Sequence, residues 1–251
     1  MNRVELKKQK CTQLFGGFAA EGNPDKEFLD ILQNFQFGEV SFRGDMDDKT
    51  RELITVALLT VNQCMPQLAS HVKAAIGVGA SQDEIKETVY HCAPYIGFPK
   101  TLNAVAAANE AFKAMGLEIK AIKNATVTEE NRAEKGLETQ KSIFGAVIDQ
   151  VYANAPEGQL HIQEYLSAMC FGDFYTRGVL DVKFRELLTF CILTAQGGCE
   201  NQVRAHVAAN LSVGNSKEVL VSAVTQCLLY VGFPRTLNAL NCINEVCRSS
   251  S

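Results

Sequence analysis

Two short segments of the chain carry a cysteine, a glutamine and a histidine at the same spacing, Cys-x-x-Gln-x-x-x-His. Residues three, four or seven positions apart share one face of an α-helix, so each segment predicts a stripe of three polar side chains. A thiol can act as a nucleophile, and an imidazole transfers protons near neutral pH. The first set comprises Cys64, Gln67 and His71, and the second comprises Cys199, Gln202 and His206.

A glutamate precedes each of these segments, at the head of another predicted helix. Glu52 lies twelve residues before Cys64, and Glu186 lies thirteen residues before Cys199. A carboxylate beside an imidazole fixes its tautomer and raises its pKa, which suits the imidazole to proton transfer near neutral pH. Each cysteine falls near a predicted helix start, where the helix dipole and free N–H groups lower the pKa of a thiol. The sequence therefore predicts two sites that combine a carboxylate, a thiol and an imidazole.

The two sites belong to a tandem repeat with a period of about 135 residues. Residues 37–53 align with residues 171–187 with nine of 17 positions identical, and residues 95–104 align with residues 230–239 with eight of ten identical. This period is the size of a domain, so we predict two domains, at 1–122 and 123–251. A single histidine near a cysteine is usually structural, but its recurrence with the glutamate in two diverged copies favours function.

Helices are predicted throughout both copies. The runs "RELITVALLTVNQC" and "RELLTFCILTAQGGC" are long, apolar and rich in leucine, which favours buried helices over strands. Pro66 suits the first turn of a following helix, over residues 64–76. Ser81 and Glu84 have the spacing of a capping box for the next helix. No convincing alternating strand pattern is present, so the predicted fold class is all-α, with two tandem helical domains.

The composition excludes several classes of protein. The chain has 251 residues, 47% hydrophobic and 21% charged, with a net charge of −4, which fits a soluble globular protein and argues against nucleic acid as a partner. No apolar run of membrane-spanning length and no secretory signal are recognisable, so no membrane partner is predicted. Nine cysteines without any Cys-x-x-Cys pair indicate reduced thiols in the cytoplasm and no metal or cofactor.

Other histidines, cysteines and aromatic residues receive structural interpretations. His91 and His161 have no histidine counterpart in the other copy, and Cys92 and Cys227 lie in apolar surroundings that favour core packing. The repeated motif "Y-x-GFP-x-TLNA" predicts a tight turn followed by a helix start. Its aromatic residues either wall a pocket or belong to the core.

Several of these motifs together resemble the carboxymuconolactone decarboxylase family. They are "REL" before a buried helix, cysteine and histidine seven residues apart, "GVGAS", and "Y.GFP...NA", and the resemblance covers residues 37–112 and 171–246. The family shares its helical fold with alkylhydroperoxidase D. The resemblance implies two tandem domains of that fold and a homo-oligomer, which for a two-domain chain is favoured to be a trimer.

The resemblance implies two chemistries, and the first is decarboxylation. In a cofactor-independent lyase that acts on a small carboxylated lactone or a similar acid, an imidazole protonates carbon after CO₂ leaves. The glutamates would hold the imidazoles. Under this hypothesis, the residues that would bind the substrate are Arg51, Gln67, Arg185 and Gln202, and those that would act on it include His71 and His206.

The second chemistry is thiol-dependent peroxide reduction. The peroxidase branch of the family uses a glutamate, a Cys-x-x-Cys pair and a histidine, and here Gln67 and Gln202 replace the second cysteine of each pair. Glutamine cannot form a disulfide, so only a one-cysteine peroxidase at Cys64 or Cys199 remains open, with an external thiol as its partner. A third alternative is a helical assembly protein without activity.

Overall fold

The structure, a computed structural model, describes residues 1–17 and 22–249, and within them it contains helices and no strand. The predicted all-α fold class is therefore confirmed for this part of the chain. Besides a 3₁₀ turn at Val40–Phe42 and a π-helical segment at Leu166–Tyr175, the helices are α1 (Arg3–Phe15), α2 (Lys26–Gly38), α3 (Asp48–Asn62), α4 (Met65–Gly77), α5 (Gln82–His91), α6 (Ala93–Ile96), α7 (Phe98–Ala114), α8 (Arg132–Phe144), α9 (Val147–Ala153), α10 (Leu160–Tyr165), α11 (Val182–Gln196), α12 (Glu200–Ser212) and α13 (Lys217–Ser249).

The centre of the molecule consists of α3 and α11, which are equivalent helices of the two copies and pack against each other. Both are buried from the arginine of the "REL" motif almost to their last residue, as their apolar sequences predict. Ile54 and Leu58 of α3 lie in one hydrophobic cluster with Leu188 and Ile192 of α11. The two halves of the chain therefore share a core, and the division at residues 122 and 123 stays a prediction.

The helices that carry the predicted site residues begin and end as their local sequences require. Helix α3 ends at Gln63, which has a left-handed backbone (φ 58°), and α4 starts directly after Cys64 with Pro66 in its first turn. Proline has no backbone N–H group. This is tolerated in the first turn of a helix, because the N–H groups there have no carbonyl partner within the helix. The capping box of α5 is confirmed, since Ser81 Oγ accepts from the Glu84 amide and the Glu84 carboxylate accepts from the Ser81 amide.

The "Y-x-GFP" segments form the predicted turns. Gly97 has φ 83° and Gly232 has φ 74°, both values that favour glycine, and a helical stretch resumes after each turn with a proline in its first residues. Helix α13 is thus two helices joined at Gly232. Its span Lys217–Arg248 is long and apolar enough to cross a membrane by length and composition alone, with 39% of its most apolar window buried. The absence of a membrane partner stays a prediction.

The N-terminal parts of the two copies also correspond, although their sequences have diverged. Helix α1 packs on α2, and α8 packs on the π-helical segment. At both crossings a glycine meets a backbone carbonyl: a Cβ on Gly38 would lie 2.2 Å from the Arg3 oxygen, and a Cβ on Gly172 would lie 2.3 Å from the Arg132 oxygen. Only glycine permits this approach without moving a helix.

Candidate active site

The first copy joins its predicted glutamate and histidine in a buried hydrogen bond. Nδ1 of His71, on α4, lies 2.7 Å from Oε2 of Glu52, on α3. The two residues are only 8% and 4% exposed. Because an ionised carboxylate can only accept, His71 donates its Nδ1 proton, and Nε2 is the nitrogen left for a ligand.

A cavity of about 690 Å³ lies against this histidine. That volume is in the ordinary range for sites that bind small molecules, on the order of 300–1,000 Å³. Side chains of α1, α2, α3, α4 and α13 form its walls. The lining residues are Phe15, Leu29, Leu32, Phe35, Gln36, Phe37, Leu59, Asn62, Cys64, Gln67, Ser70, His71, Leu228, Leu229, Tyr230, Gly232 and Phe233.

The second copy contributes a tyrosine to the first-copy site. The ring of Tyr230 meets that of His71 edge-on, with centroids 6.0 Å apart. Its hydroxyl accepts a hydrogen bond from Gln36 Nε2 at 3.1 Å, and its backbone oxygen accepts one from Asn62 Nδ2 at 2.9 Å. Burial raises the pKa of Tyr230, so the hydroxyl keeps its proton. The "Y-x-GFP" motif was the sequence signal for this residue, but nothing in it showed that the tyrosine crosses to the other copy.

The second copy repeats the histidine–glutamate bond and adds a tyrosine hydrogen bond to the glutamate. His206 Nδ1 lies 2.7 Å from Glu186 Oε2, and the ring of Tyr95, from the first copy, lies 6.5 Å from that of His206. The Tyr175 hydroxyl donates to Glu186 Oε1 at 2.7 Å, so both oxygens of this fully buried carboxylate are hydrogen-bonded. Phe144 packs edge-on against His206 with centroids 5.4 Å apart, as Phe15 packs against His71 at 5.7 Å.

The two sites differ at the residue that reaches the glutamate. The first copy has Ser41 in the aligned position of Tyr175, and the Ser41 hydroxyl donates instead to the Gln36 backbone oxygen at 2.8 Å. Tyr175 also hydrogen-bonds the hydroxyls of Tyr95 and Thr189. Tyr175 was not among the predicted site residues, although the serine–tyrosine difference lies within the aligned residues.

The predicted thiols occupy helix starts, but their environments are not alike. Cys64 lines the cavity, and its Sγ donates to the Asn62 oxygen at 3.6 Å. Cys199 donates to the Leu193 oxygen at 3.3 Å. Burial and, to a smaller extent, the neighbouring Glu200 raise the pKa of Cys199. The expectation of a lowered thiol pKa is therefore wrong for Cys199, because desolvation outweighs the helix start.

The two predicted substrate-binding arginines lie elsewhere in the protein. Arg51 is buried, donating to the Met46 oxygen at 3.1 Å and to Gln226 Oε1 at 3.2 Å. Arg185 is also buried, and its Nη2 lies 3.2 Å from Glu87 Oε2. Neither arginine is among the residues that line the cavity. Both guanidinium groups bind loop carbonyls of their own copy and a side chain of the other copy, so the substrate-orienting role predicted for them does not fit.

The glutamines also differ between the copies: Gln67 lines the first-copy cavity, whereas Gln202 lies on the exposed face of α12. No group of three or more histidine, cysteine or acidic residues that could hold a metal occurs in residues 1–17 and 22–249. The site chemistry available to this part of the chain is thus that of a carboxylate, an imidazole, a thiol, a phenol and amides.

The fold and site together define a duplicated all-helical protein in which each half carries a buried histidine–glutamate pair. Both halves match the model of the carboxymuconolactone decarboxylase family, at residues 26–110 and 161–245. These two matches cover more than half of the chain, and the protein therefore belongs to the carboxymuconolactone decarboxylase family. The tandem resemblance of residues 37–112 and 171–246 is confirmed.

Relatives in this family include proteins named as decarboxylases. The chain is 33% identical over 93 residues to 4-carboxymuconolactone decarboxylase of Acinetobacter baylyi, a match that covers 37% of this chain and 69% of the relative. It is 32% identical over 76 residues to nitrosuccinic acid decarboxylase of Metarhizium robertsii, covering 30% of this chain and 53% of the relative. Such relatives support an enzyme within the family.

Proposed function

We propose that the protein is a cofactor-independent decarboxylase whose working site is the first-copy cavity. The observation that carries this proposal is the His71–Glu52 hydrogen bond of 2.7 Å at the wall of a cavity of about 690 Å³. The names of the two relatives supply the reaction class. The partner is accordingly a small molecule that carries a carboxylate, and the cytoplasm remains the predicted location.

The reaction needs only a proton donor placed beside a carbon that loses CO₂. The bond between the carboxylate and its carbon breaks, CO₂ leaves, and the electron pair passes into an adjacent carbonyl to form an enolate. Nε2–H of the protonated His71 then donates its proton to carbon, and water returns a proton to Nε2. Glu52 stabilises the positively charged imidazole ring before the substrate binds.

The second-copy site differs in a way that disfavours turnover there. The Tyr175 hydroxyl and His206 hydrogen-bond both oxygens of Glu186, whereas the first copy has Ser41 in the aligned position of Tyr175. The ring contacts do not distinguish the sites, because Phe15 and Tyr230 pack against His71 as Phe144 and Tyr95 pack against His206. We therefore assign this site to the stability of the shared core. This proposal departs from the expectation of two working sites in each chain.

The test measures CO₂ release from the carboxylated lactone and related acids that carry a carbonyl next to the reacting carbon. His71→Ala should lower kcat/KM by about 10²-fold or more, the usual contribution of a positioned acid. Glu52→Gln should also lower it, because the amide cannot stabilise an imidazolium. His206→Ala is the matched control and should retain most of the activity of any enzyme that remains folded.

Two outcomes would overturn parts of this proposal. Equal losses in His71→Ala and His206→Ala would show two working sites. Cys64 lines the same cavity, so hydroperoxide reduction with an added thiol, lost in Cys64→Ser but not in His206→Ala, would favour the one-cysteine peroxidase.

A further inference from the structure

A second cavity lies where the two copies meet at the ends of their central helices. Its volume is about 290 Å³. Asn62 and Gln196, the last residues of α3 and α11, line it together with Tyr95. Asn62 also lines the first-copy cavity, and the ring of Tyr95 packs against that of His206. This cavity, which we call the junction cavity, therefore adjoins both candidate sites and has neither of their histidines in its walls.

Two cationic side chains line the junction cavity, one from each copy. Lys100 and Arg235 occupy the position after the proline of the repeated "Y-x-GFP-x-TLNA" motif, so they are equivalent residues. Both residues are exposed, and a solute can reach their charged groups from the solvent. The described residues that line the cavity include no acidic side chain. The repeated motif thus places two positive charges at one opening between the copies.

The arginine is held in place by the end of α11. A Cβ on Gly197 would lie 2.8 Å from Arg235 Nε and 3.2 Å from its Cδ, so the side chain packs directly on the glycine. Arg235 Nη1 donates to the Ala195 backbone oxygen. A guanidinium has five N–H donors, and this bond leaves others for a solute. Because the side chain is already ordered, less entropy is lost when a solute binds to it.

The lysine is positioned by its backbone. The Lys100 oxygen accepts a hydrogen bond from Gln63 Nε2 at 3.0 Å, which ties the start of α7 to the end of α3. Gln63 occupies the position that aligns with Gly197 of the second copy. In residues 1–17 and 22–249, neither Lys100 nor Arg235 forms an ion pair with a carboxylate. The ammonium group of Lys100 therefore keeps its donors for a solute.

The helix ends balance only part of this positive charge. The C-terminus of a helix carries about half a negative charge, so the ends of α3 and α11 together contribute about one. Lys100 and Arg235 contribute two positive charges, which leaves a surplus of about one. The Gln196 side chain lines the same cavity and supplies amide donors. Charge-assisted hydrogen bonds from such groups favour a ligand with several negatively charged oxygen atoms.

We propose that the junction cavity binds a small oxyanion whose oxygen atoms bridge Lys100 and Arg235. Its volume is close to the lower end for small-molecule sites, on the order of 300 Å³, which suits a small anion. A phosphate group and a short dicarboxylate share this chemistry. The bound anion connects a residue of the first copy to a residue of the second. The inference is independent of the proposed function, because it uses neither histidine.

Isothermal titration calorimetry of the whole chain at low ionic strength tests the inference. The probes are inorganic phosphate and, in a separate titration, succinate. We expect at least one of them to bind with a Kd of about 1 mM or below. The double variant Lys100→Gln/Arg235→Gln should weaken this binding by about tenfold or more.

A second double variant removes the same charge elsewhere. Lys113→Gln/Arg204→Gln changes cations of α7 and α12 that lie outside the junction cavity and pair with Glu110 and Glu245. It should leave the Kd within about twofold, because distant surface charges are screened by salt.

Two neighbouring glycines give a test that keeps both cations. Gly197→Ala should displace the arginine and weaken binding by about tenfold, because the new Cβ would meet Arg235. Gly198→Ala is the matched control: its φ of 70° is close to the 68° of Gly197, so the backbone strain is similar. A Cβ on Gly198 meets nothing within 4 Å, and binding should be retained.

Several outcomes would overturn the inference. One is the absence of binding by both anions at about 10 mM. Another is equal weakening in the two double variants, which would reveal a general effect of net charge. Succinate binding that is lost in His71→Ala and retained in Lys100→Gln/Arg235→Gln would place that anion in the first-copy cavity and also count against the inference. Tighter binding of phosphate than of succinate at the junction cavity would support a phosphate group as the ligand, and the reverse order would support a dicarboxylate.

Discussion

At the residue scale, the same core position holds different side chains in the two copies. His91 receives a hydrogen bond from Arg185 Nη1 and bonds Thr189 Oγ1 at 2.9 Å, while its counterpart Gln226 bonds Arg51 and Thr55 in the equivalent way. Because an arginine can only donate, Nδ1 of His91 accepts and the ring is neutral. The structural interpretation of His91 from the sequence agrees with this geometry.

His91 should make the stability of the protein depend on pH. Burial and the positive Arg185 lower the pKa of His91 well below its ordinary value of 6.5. The unfolded chain therefore binds a proton below about pH 6.5 that the folded chain does not, and stability is lost as the pH falls through that value. The rings of Tyr95 and Tyr175 also pack against the His91 ring, and the charge of His206 lowers the pKa of His91 further.

Glutamine already occupies the equivalent position, so His91→Gln should fold and should weaken this dependence. Between about pH 6.5 and 5.5 the free energy of unfolding should fall by up to about 1.4 kcal/mol less in the variant than in the unmodified protein. Urea denaturation at a series of pH values measures it. His161→Gln, which changes an exposed histidine, is the control, and parallel curves for all three proteins would contradict the prediction.

At the element scale, the helices of the site were predictable from local signals, but their partners were not. Pro66 and the Ser81–Glu84 capping box mark helix starts that the structure confirms. The correspondence of α1 and α2 in the first copy with α8 and the π-helical segment in the second was not predictable. Few identical residues remain in these parts of the two copies apart from those in short turns. Arg51 shows a further limit: a buried arginine that ties two copies together and an arginine that binds substrate look alike in a sequence.

The crossing of α1 and α2 depends on Gly38, and a methyl group there should disturb the cavity wall. In Gly38→Ala the Cβ would lie 2.2 Å from the Arg3 oxygen, which is backbone, so α1 must move. We expect the free energy of unfolding to fall by about 1–3 kcal/mol. Thermal and urea denaturation measure the change.

Helix α4 offers the matched control for that substitution. A Cβ on Gly77 would meet nothing within 4 Å, so Gly77→Ala should be neutral or stabilising by up to about 1 kcal/mol. Because α1 and α2 both contribute to the cavity, Gly38→Ala should also raise the KM of the proposed reaction. Equal stability of the two variants would show that the crossing adjusts without cost.

At the scale of the whole molecule, large apolar side chains are exposed at equivalent positions of both copies. Phe98 and Leu102 of α7 correspond to Phe233 and Leu237 of α13, and all four are exposed. A monomer rarely exposes such side chains in groups, and a repeated surface suits a repeated contact. These observations support the predicted homo-oligomer, favoured as a trimer of two-copy chains.

Light scattering coupled to gel filtration should show a trimer. The double variant Leu102→Asp/Leu237→Asp should shift the protein toward the monomer, because a carboxylate cannot be buried unpaired in an apolar contact. Val4→Asp changes another exposed apolar residue, on α1, and should leave the mass unchanged. A monomeric unmodified protein, or an equal effect of both variants, would count against an interface at this surface.

The serine–tyrosine difference between the two sites has an evolutionary consequence. In an assembly of identical single-copy chains, one codon specifies the corresponding residue at every site, so a change that closes one site closes all of them. In this chain, Ser41 and Tyr175 are encoded separately, while Tyr95 and Tyr230 cross between the copies and keep each half dependent on the other. Duplication within one gene thus permits the two sites to diverge in role while selection still acts on them as a single unit.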